Sequence, residues 1–128
     1  MRCTGLVAPN LYIYGSENCE RCKELKRLLD ERLHYGYEFY DVEKDEEARR
    51  RFMEICRITG ARNYPLVGVF QWNELVAVYQ GDMAIVGVAK LDELRPNPKV
   101  VPVVTDNSRA FFFRNSDAVE RLRALFLP

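Results

Sequence analysis

The chain has one histidine, His34, and one tryptophan, Trp72. A lone histidine excludes a metal centre built on clustered imidazoles, and His34, at the end of the first helix, is assigned no catalytic role. No apolar run approaches the roughly 20 residues that span a bilayer. The N-terminal segment Met1 to Asn10 holds only Leu6-Val7-Ala8 as an apolar stretch and lacks the core of a signal peptide, so the expected location is cytoplasmic. Neither charge is in excess: 19 Lys and Arg face 19 Asp and Glu. A balanced chain exerts no long-range pull on nucleic acid or on anionic membrane, and neither is expected as a partner. Cysteines number four, Cys3, Cys19, Cys22 and Cys56. Only Cys19 and Cys22 stand in a Cys-x-x-Cys spacing; a zinc site would need Cys3, Cys56 or His34 to converge on them, and no metal is expected.

With 128 residues, 48% of them hydrophobic, the chain supports one domain with its own core. Leu11-Tyr12-Ile13-Tyr14 reads as a first strand, ended by Gly15-Ser16. A helix follows from about Cys19 to Leu33, with Leu25, Leu29 and Leu33 on one face and Asn18 placed to cap it. Tyr37 to Val42 reads as a second strand. Asp45 to Thr59 forms a second helix with a stripe of Ala48, Phe52, Ile55 and Cys56, stopped by Gly60. Arg49-Arg50-Arg51 reads as its solvated face. Leu66–Phe70 and Leu75–Tyr79, joined by Gln71-Trp72-Asn73-Glu74, read as an antiparallel hairpin. After Gly81 a third helix is expected from Asp82 to about Leu94, with Val86, Gly87 and Val88 poor helix formers within it. The order β-α-β-α-β-β-α implies an α/β sandwich around one mixed sheet, since a strand-helix-strand crossover makes a parallel pair and a hairpin an antiparallel one. Beyond Pro96-Asn97-Pro98 the grammar repeats as Val100–Val104, Ala110–Phe113 and a helix from about Ser116 to Phe126, a ββα extension over 98–128 packed on a core over 11–94.

Disulfide exchange needs one thiolate within reach of solvent and a second thiol close behind it. Cys-x-x-Cys at the start of a helix supplies both. Cys19 falls in the first turn, where unpaired N–H groups and the positive end of the helix dipole favour an anion. Its pKa is expected below the free value of about 8.5, which makes it the attacking sulfur. Cys22, one turn further in, would resolve the mixed disulfide. The spacing alone also fits half a metal site. Its position, after a strand and opening an amphipathic helix, fits a redox motif. Cys56 reads as a small core residue, and Cys3 as an incidental thiol.

Tyr64-Pro65, just before the third strand, is the second signal. Residues Leu11 to about Leu94, with the Cys19-Glu20-Arg21-Cys22 helix, the proline-initiated hairpin and the Gly81-Asp82 step, resemble a glutaredoxin of the thioredoxin-like fold. The resemblance implies that Pro65 is cis and packs against the cysteine pair, and that Tyr64 lends its main chain to a substrate's cysteine segment. It also implies that Gly81 and Asp82 hold the glutamyl end of glutathione at a helix N-terminus, although the pair equally reads as a glycine turn with an N-capping aspartate. Partners implied are a disulfide-containing protein substrate and an electron donor, either glutathione or a reductase; no bound cofactor is implied. The chain departs from the family's usual residues at Gln80-Gly81 (two glycines), Ser16-Glu17 (a lysine) and Glu20-Arg21 (Pro-Tyr). These departures bear on glutathione as partner and leave the exchange chemistry untouched.

Two other readings fit. Leu94-Arg95-Pro96 and the ββα ending resemble the arsenate reductase and Spx-like family, in which case the Pro65 hairpin would be an insertion. A thioredoxin-like fold can also serve as a redox-switched protein-binding module.

Overall fold

The computed structural model describes residues 9–60, 63–97, 99–105, 109–114 and 116–127. Cys3 lies outside the described residues. In chain order the elements are β1 (Asn10–Gly15), α1 (Glu20–Leu28), β2 (Gly36–Asp41), α2 (Glu46–Thr59), β3 (Leu66–Gln71), β4 (Glu74–Gln80), α3 (Asp82–Ala89), β5 (Val101–Thr105), β6 (Arg109–Phe113) and α4 (Ser116–Phe126). The strands make one mixed sheet in the order β2-β1-β3-β4-β5-β6. β1 runs parallel to β2 and antiparallel to β3. β3 is antiparallel to β4, β4 parallel to β5, and β5 antiparallel to β6. The mixed α/β sandwich is that of a thioredoxin-like fold. The hairpin is no insertion, because β3 lies in the middle of the sheet against β1.

Alternation along the strands divides the core in two. Leu11 and Ile13 of β1, Val67 and Val69 of β3, and Ala77 of β4 face α1 and α3, where Leu25, Leu29, Ala84 and Val88 cover them. Tyr14, Leu66, Phe70 and Val78 face the other way, onto Phe52 and Ile55 of α2 and Leu122 and Phe126 of α4. Gly68 is small because the Phe126 ring lies over it; a Cβ there would come within 2.7 Å of the ring.

Several element ends differ from the sequence expectation. α1 is capped by Cys19, not Asn18: the Cys22 N–H donates to Cys19 Sγ at 3.3 Å. Asn18 is drawn off, its own N–H donating to Ser16 Oγ (3.1 Å) and its side chain reaching Glu43 (3.5 Å). The helix continues to Leu33 but widens to a π turn over Leu29–Leu33, which His34 closes in the left-handed region at φ 57°. The hairpin turn is two residues long, Trp72 and Asn73 at φ 56° and 65°, because Gln71 and Glu74 pair with each other. Tryptophan is foreign to such turns, which usually carry Asn and Gly, and the pattern hid it. α3 stops at Ala89 and is followed by a 3₁₀ turn, Leu91–Glu93. Gly87 has a packing reason within α3: a Cβ there would fall 2.5 Å from the Tyr79 ring, so glycine sets how closely the helix approaches β4. α2 is capped by Asp45, which accepts from the Glu47 and Ala48 N–H groups, and it ends at Gly60 at φ 80°. Arg51 is not part of a solvated face. Half-buried, it donates to the Leu127 carbonyl and to Glu47, tying α2 to the end of α4.

No helix among the described residues is long and apolar enough to cross a membrane.

Candidate functional site

The carboxyl end of β1 turns sharply at Gly15-Ser16 and feeds α1. Two neighbouring contacts hold this turn against the end of β2. The Val42 N–H donates to the Gly15 carbonyl at 2.9 Å, and Ser16 Oγ donates to Glu43 at 2.7 Å. Asp41 accepts from the Glu43 N–H (2.8 Å) and the Glu17 N–H (3.2 Å). Slight desolvation opposes it, but these N–H donors and Lys44 hold the Asp41 carboxyl below its usual range. The loop that presents Cys19 is therefore fixed from two sides by side chains that sequence reasoning left out.

Cys19 is half-buried and Cys22 is 1% exposed; both are free thiols. Burial, and then the hydrogen bond and charge of Cys19, push the Cys22 thiol up to about 12. Part of that effect originates in Cys19 and disappears once its sulfur is in a disulfide. Alkylation of the reduced protein at neutral pH should therefore modify Cys19 more than about a hundredfold faster than Cys22. Peptide mapping of the protein after timed exposure to iodoacetamide reads this directly; comparable rates would contradict the placement.

Gly15 is a further residue the sequence pattern did not single out. A Cβ there would lie 2.6 Å from Cys22 Sγ and 3.4 Å from the Phe39 ring. Glycine at the end of β1 thus makes room for the second sulfur. Gly15→Ala should displace it, cost about 1–3 kcal/mol, and, on incubation with a small disulfide, leave a larger fraction of the protein as the Cys19 mixed disulfide, quantified by intact mass after acid quenching. An unchanged fraction would show that Cys22 tolerates the shift.

The Tyr64–Pro65 peptide bond is cis. Pro65 is buried, and its carbonyl accepts the Gly81 N–H at 2.9 Å, so the proline and the start of α3 lie side by side at the same end of the sheet. Tyr64 stacks obliquely on Phe52 of α2, with ring centroids 5.2 Å apart. Burial, and after it the charge of Glu43, raises the Tyr64 phenol pKa, with smaller effects from Cys22, Asp41 and Cys19. Gly81 is the residue before α3, at φ 63°, and Asp82 is the first residue within the helix, not its N-cap. Asp82 makes an ion pair with Arg21, the residue just before Cys22. The structure thus gathers Cys19, Cys22, Tyr64, Pro65, Gly81 and Asp82 at one end of the sheet. Cys56 lies elsewhere, half-buried against the core under α2. Among the described residues no group of three or more His, Cys, Asp or Glu is placed to hold a metal ion.

Residues 11–69 match the glutaredoxin family model. Neither a curated protein nor a solved structure matches the chain. The matched segment runs from β1 through the cysteine helix and the cis-proline into β3, and over these residues the chain is similar to the glutaredoxins, on a thioredoxin-like fold.

Proposed function

We propose that the protein reduces disulfides of protein substrates, or their mixed disulfides with glutathione, by a dithiol mechanism. The observation that supports this most is the pairing of a half-exposed sulfur at a helix N-terminus with a buried sulfur one turn behind it. Cys19 as thiolate attacks one substrate sulfur, and the other leaves as a thiolate that takes up a proton. The Cys22 thiol gives up its proton and attacks Cys19 Sγ. The second substrate thiol is released, and two electrons have passed from the dithiol to the substrate. The Cys19–Cys22 disulfide is then reduced by two glutathione molecules, giving oxidised glutathione, or by a reductase dithiol. Tyr64 and Pro65 present main chain to the substrate cysteine, and Gly81 with Asp82 forms the adjoining wall. No bound cofactor or metal enters the cycle. A reducing compartment such as the cytoplasm keeps such a dithiol charged.

Turnover of hydroxyethyl disulfide, followed with glutathione and then with dithiothreitol as the only reductant, tests the reading. Turnover with either supports it, and the reductant used identifies the electron source. Inactivity with both, while the Cys19–Cys22 disulfide still forms, would replace it with a redox-switched binding module.

A further inference from the structure

On the α2 side of the site, next to the cis-proline, a groove of about 430 Å³ opens between Val42, Glu43, Arg49, Phe52, Met53 and Tyr64. Its floor is apolar. Phe52 and Tyr64 pack on each other, and Met53 stands 61% exposed with no core to cover. The groove continues directly from the candidate site, since Tyr64 is the residue before the cis-proline. Two charged side chains line it. Arg49 is folded back, its Nε donating to the Val42 carbonyl at 3.1 Å. At the cysteine end stands Glu43, which accepts from Ser16 and Asn18 of the cysteine loop and makes no ion pair among the described residues. The cations around Cys19 are engaged elsewhere: Lys44 with Glu17 at 3.0 Å, Lys23 with Glu20 at 3.3 Å, and Arg21 with Asp82.

We propose, on the exchange reading above, that the preferred substrate is a protein segment whose disulfide cysteine is flanked by a large apolar residue and a basic residue. The apolar side chain fills the groove over Phe52, Met53 and Tyr64. The basic one faces Glu43. Burial of an aliphatic side chain in an apolar groove and an opposite charge at its edge both strengthen the encounter. The cation has a second effect. Glu43 is held against the cysteine loop through Ser16 and Asn18, and a thiolate departs from this place when Cys22 attacks the mixed disulfide. A basic neighbour in the substrate offsets Glu43 and stabilises the departing thiolate. A small anionic disulfide such as oxidised glutathione has neither feature. On the other side of Cys19 it meets an Asp82 already paired with Arg21.

The test compares kcat/KM for symmetrical disulfides of short blocked peptides, Leu-Cys-Lys, Lys-Cys-Leu and Gly-Cys-Glu, with oxidised glutathione and hydroxyethyl disulfide. The enzyme is kept reduced by dithiothreitol, and each rate is divided by that of free dithiothreitol with the same disulfide, which removes intrinsic reactivity. One of the Leu/Lys peptides is expected to exceed Gly-Cys-Glu and oxidised glutathione by about tenfold or more. Met53→Ser should lower that ratio severalfold through the apolar arm, and Glu43→Gln through the basic arm. Turnover of all the disulfides without such a preference would overturn this inference and leave the exchange reading standing. Inactivity on every disulfide, hydroxyethyl disulfide included, would overturn both.

Discussion

Cys19→Ser is expected to lower turnover of any disulfide substrate by about 10³-fold or more, to the rate of the reductant alone. Serine preserves the cap on α1, because its hydroxyl accepts the residue 22 N–H as the sulfur does. The fold should therefore survive, and the loss can be read as loss of the nucleophile. A hydroxyl is almost never ionised near neutral pH and forms no disulfide. Cys22 cannot stand in for it, since it is almost wholly buried, and burial, the largest cause of its raised pKa, persists in the variant.

The complementary variant separates the two halves of the cycle. Cys22→Ser keeps the attacking sulfur and loses the resolving one, so it should accumulate the Cys19 mixed disulfide, visible by intact mass. Its turnover should persist only where an external thiol such as glutathione resolves that adduct. The pair of variants is informative because the roles are unequal: if Cys22→Ser were dead and Cys19→Ser active, the assignment of attacking and resolving sulfur would have to be exchanged. Circular dichroism of both variants guards against a trivial loss of fold.

The elements that position this chemistry were legible because their signals are local. A β-favouring run, Gly15-Ser16 and an amphipathic helix put Cys19 and Cys22 where such a pair belongs, and Tyr64-Pro65 before an apolar run marked the second wall. The third-helix start was legible from Gly81 itself, which takes a positive φ there. What the sequence hid depends on partners distant along the chain. The buried Ser16 hydroxyl on Glu43, the Asp41 carboxylate gathering N–H groups of two loops, and Arg21 reaching Asp82 have no periodicity to announce them. The cap was missed for a local reason: asparagine is the stronger N-cap by preference, but here its N–H and side chain are already spent on Ser16 and Glu43. Gly15 looked like a strand end, and only the position of the Cys22 sulfur shows why a side chain is not accommodated there.

Phe126→Ala is expected to destabilise the protein by about 3–5 kcal/mol, lowering its thermal midpoint by roughly 10–20 °C. The reason lies in how the closing ββα segment is used. α4 lies beside α2 on the same face of the sheet, and Phe126, fully buried, meets Tyr14 and Phe70 edge to face at 5.9 and 6.3 Å between ring centroids. Its carbonyl accepts the Tyr14 hydroxyl at 2.9 Å. That hydroxyl belongs to the strand residue before Gly15, so the end of the chain braces the strand that delivers Cys19. Removing the ring leaves a cavity over Gly68, which has no side chain to collapse into it. Phe112→Ala is the control: that ring is 55% exposed on the edge strand β6, and its loss should move stability by no more than about 0.5 kcal/mol. A double-mutant cycle sharpens the argument. Gly68→Ala alone should be costly, because its Cβ would press on the Phe126 ring; in the Phe126→Ala background it should cost little or even stabilise, since the methyl then enters the vacated space. Chemical denaturation of the four proteins measures the coupling. Additive costs, or a Phe126→Ala variant as stable as the parent, would mean that α4 merely lies on a core that stands without it.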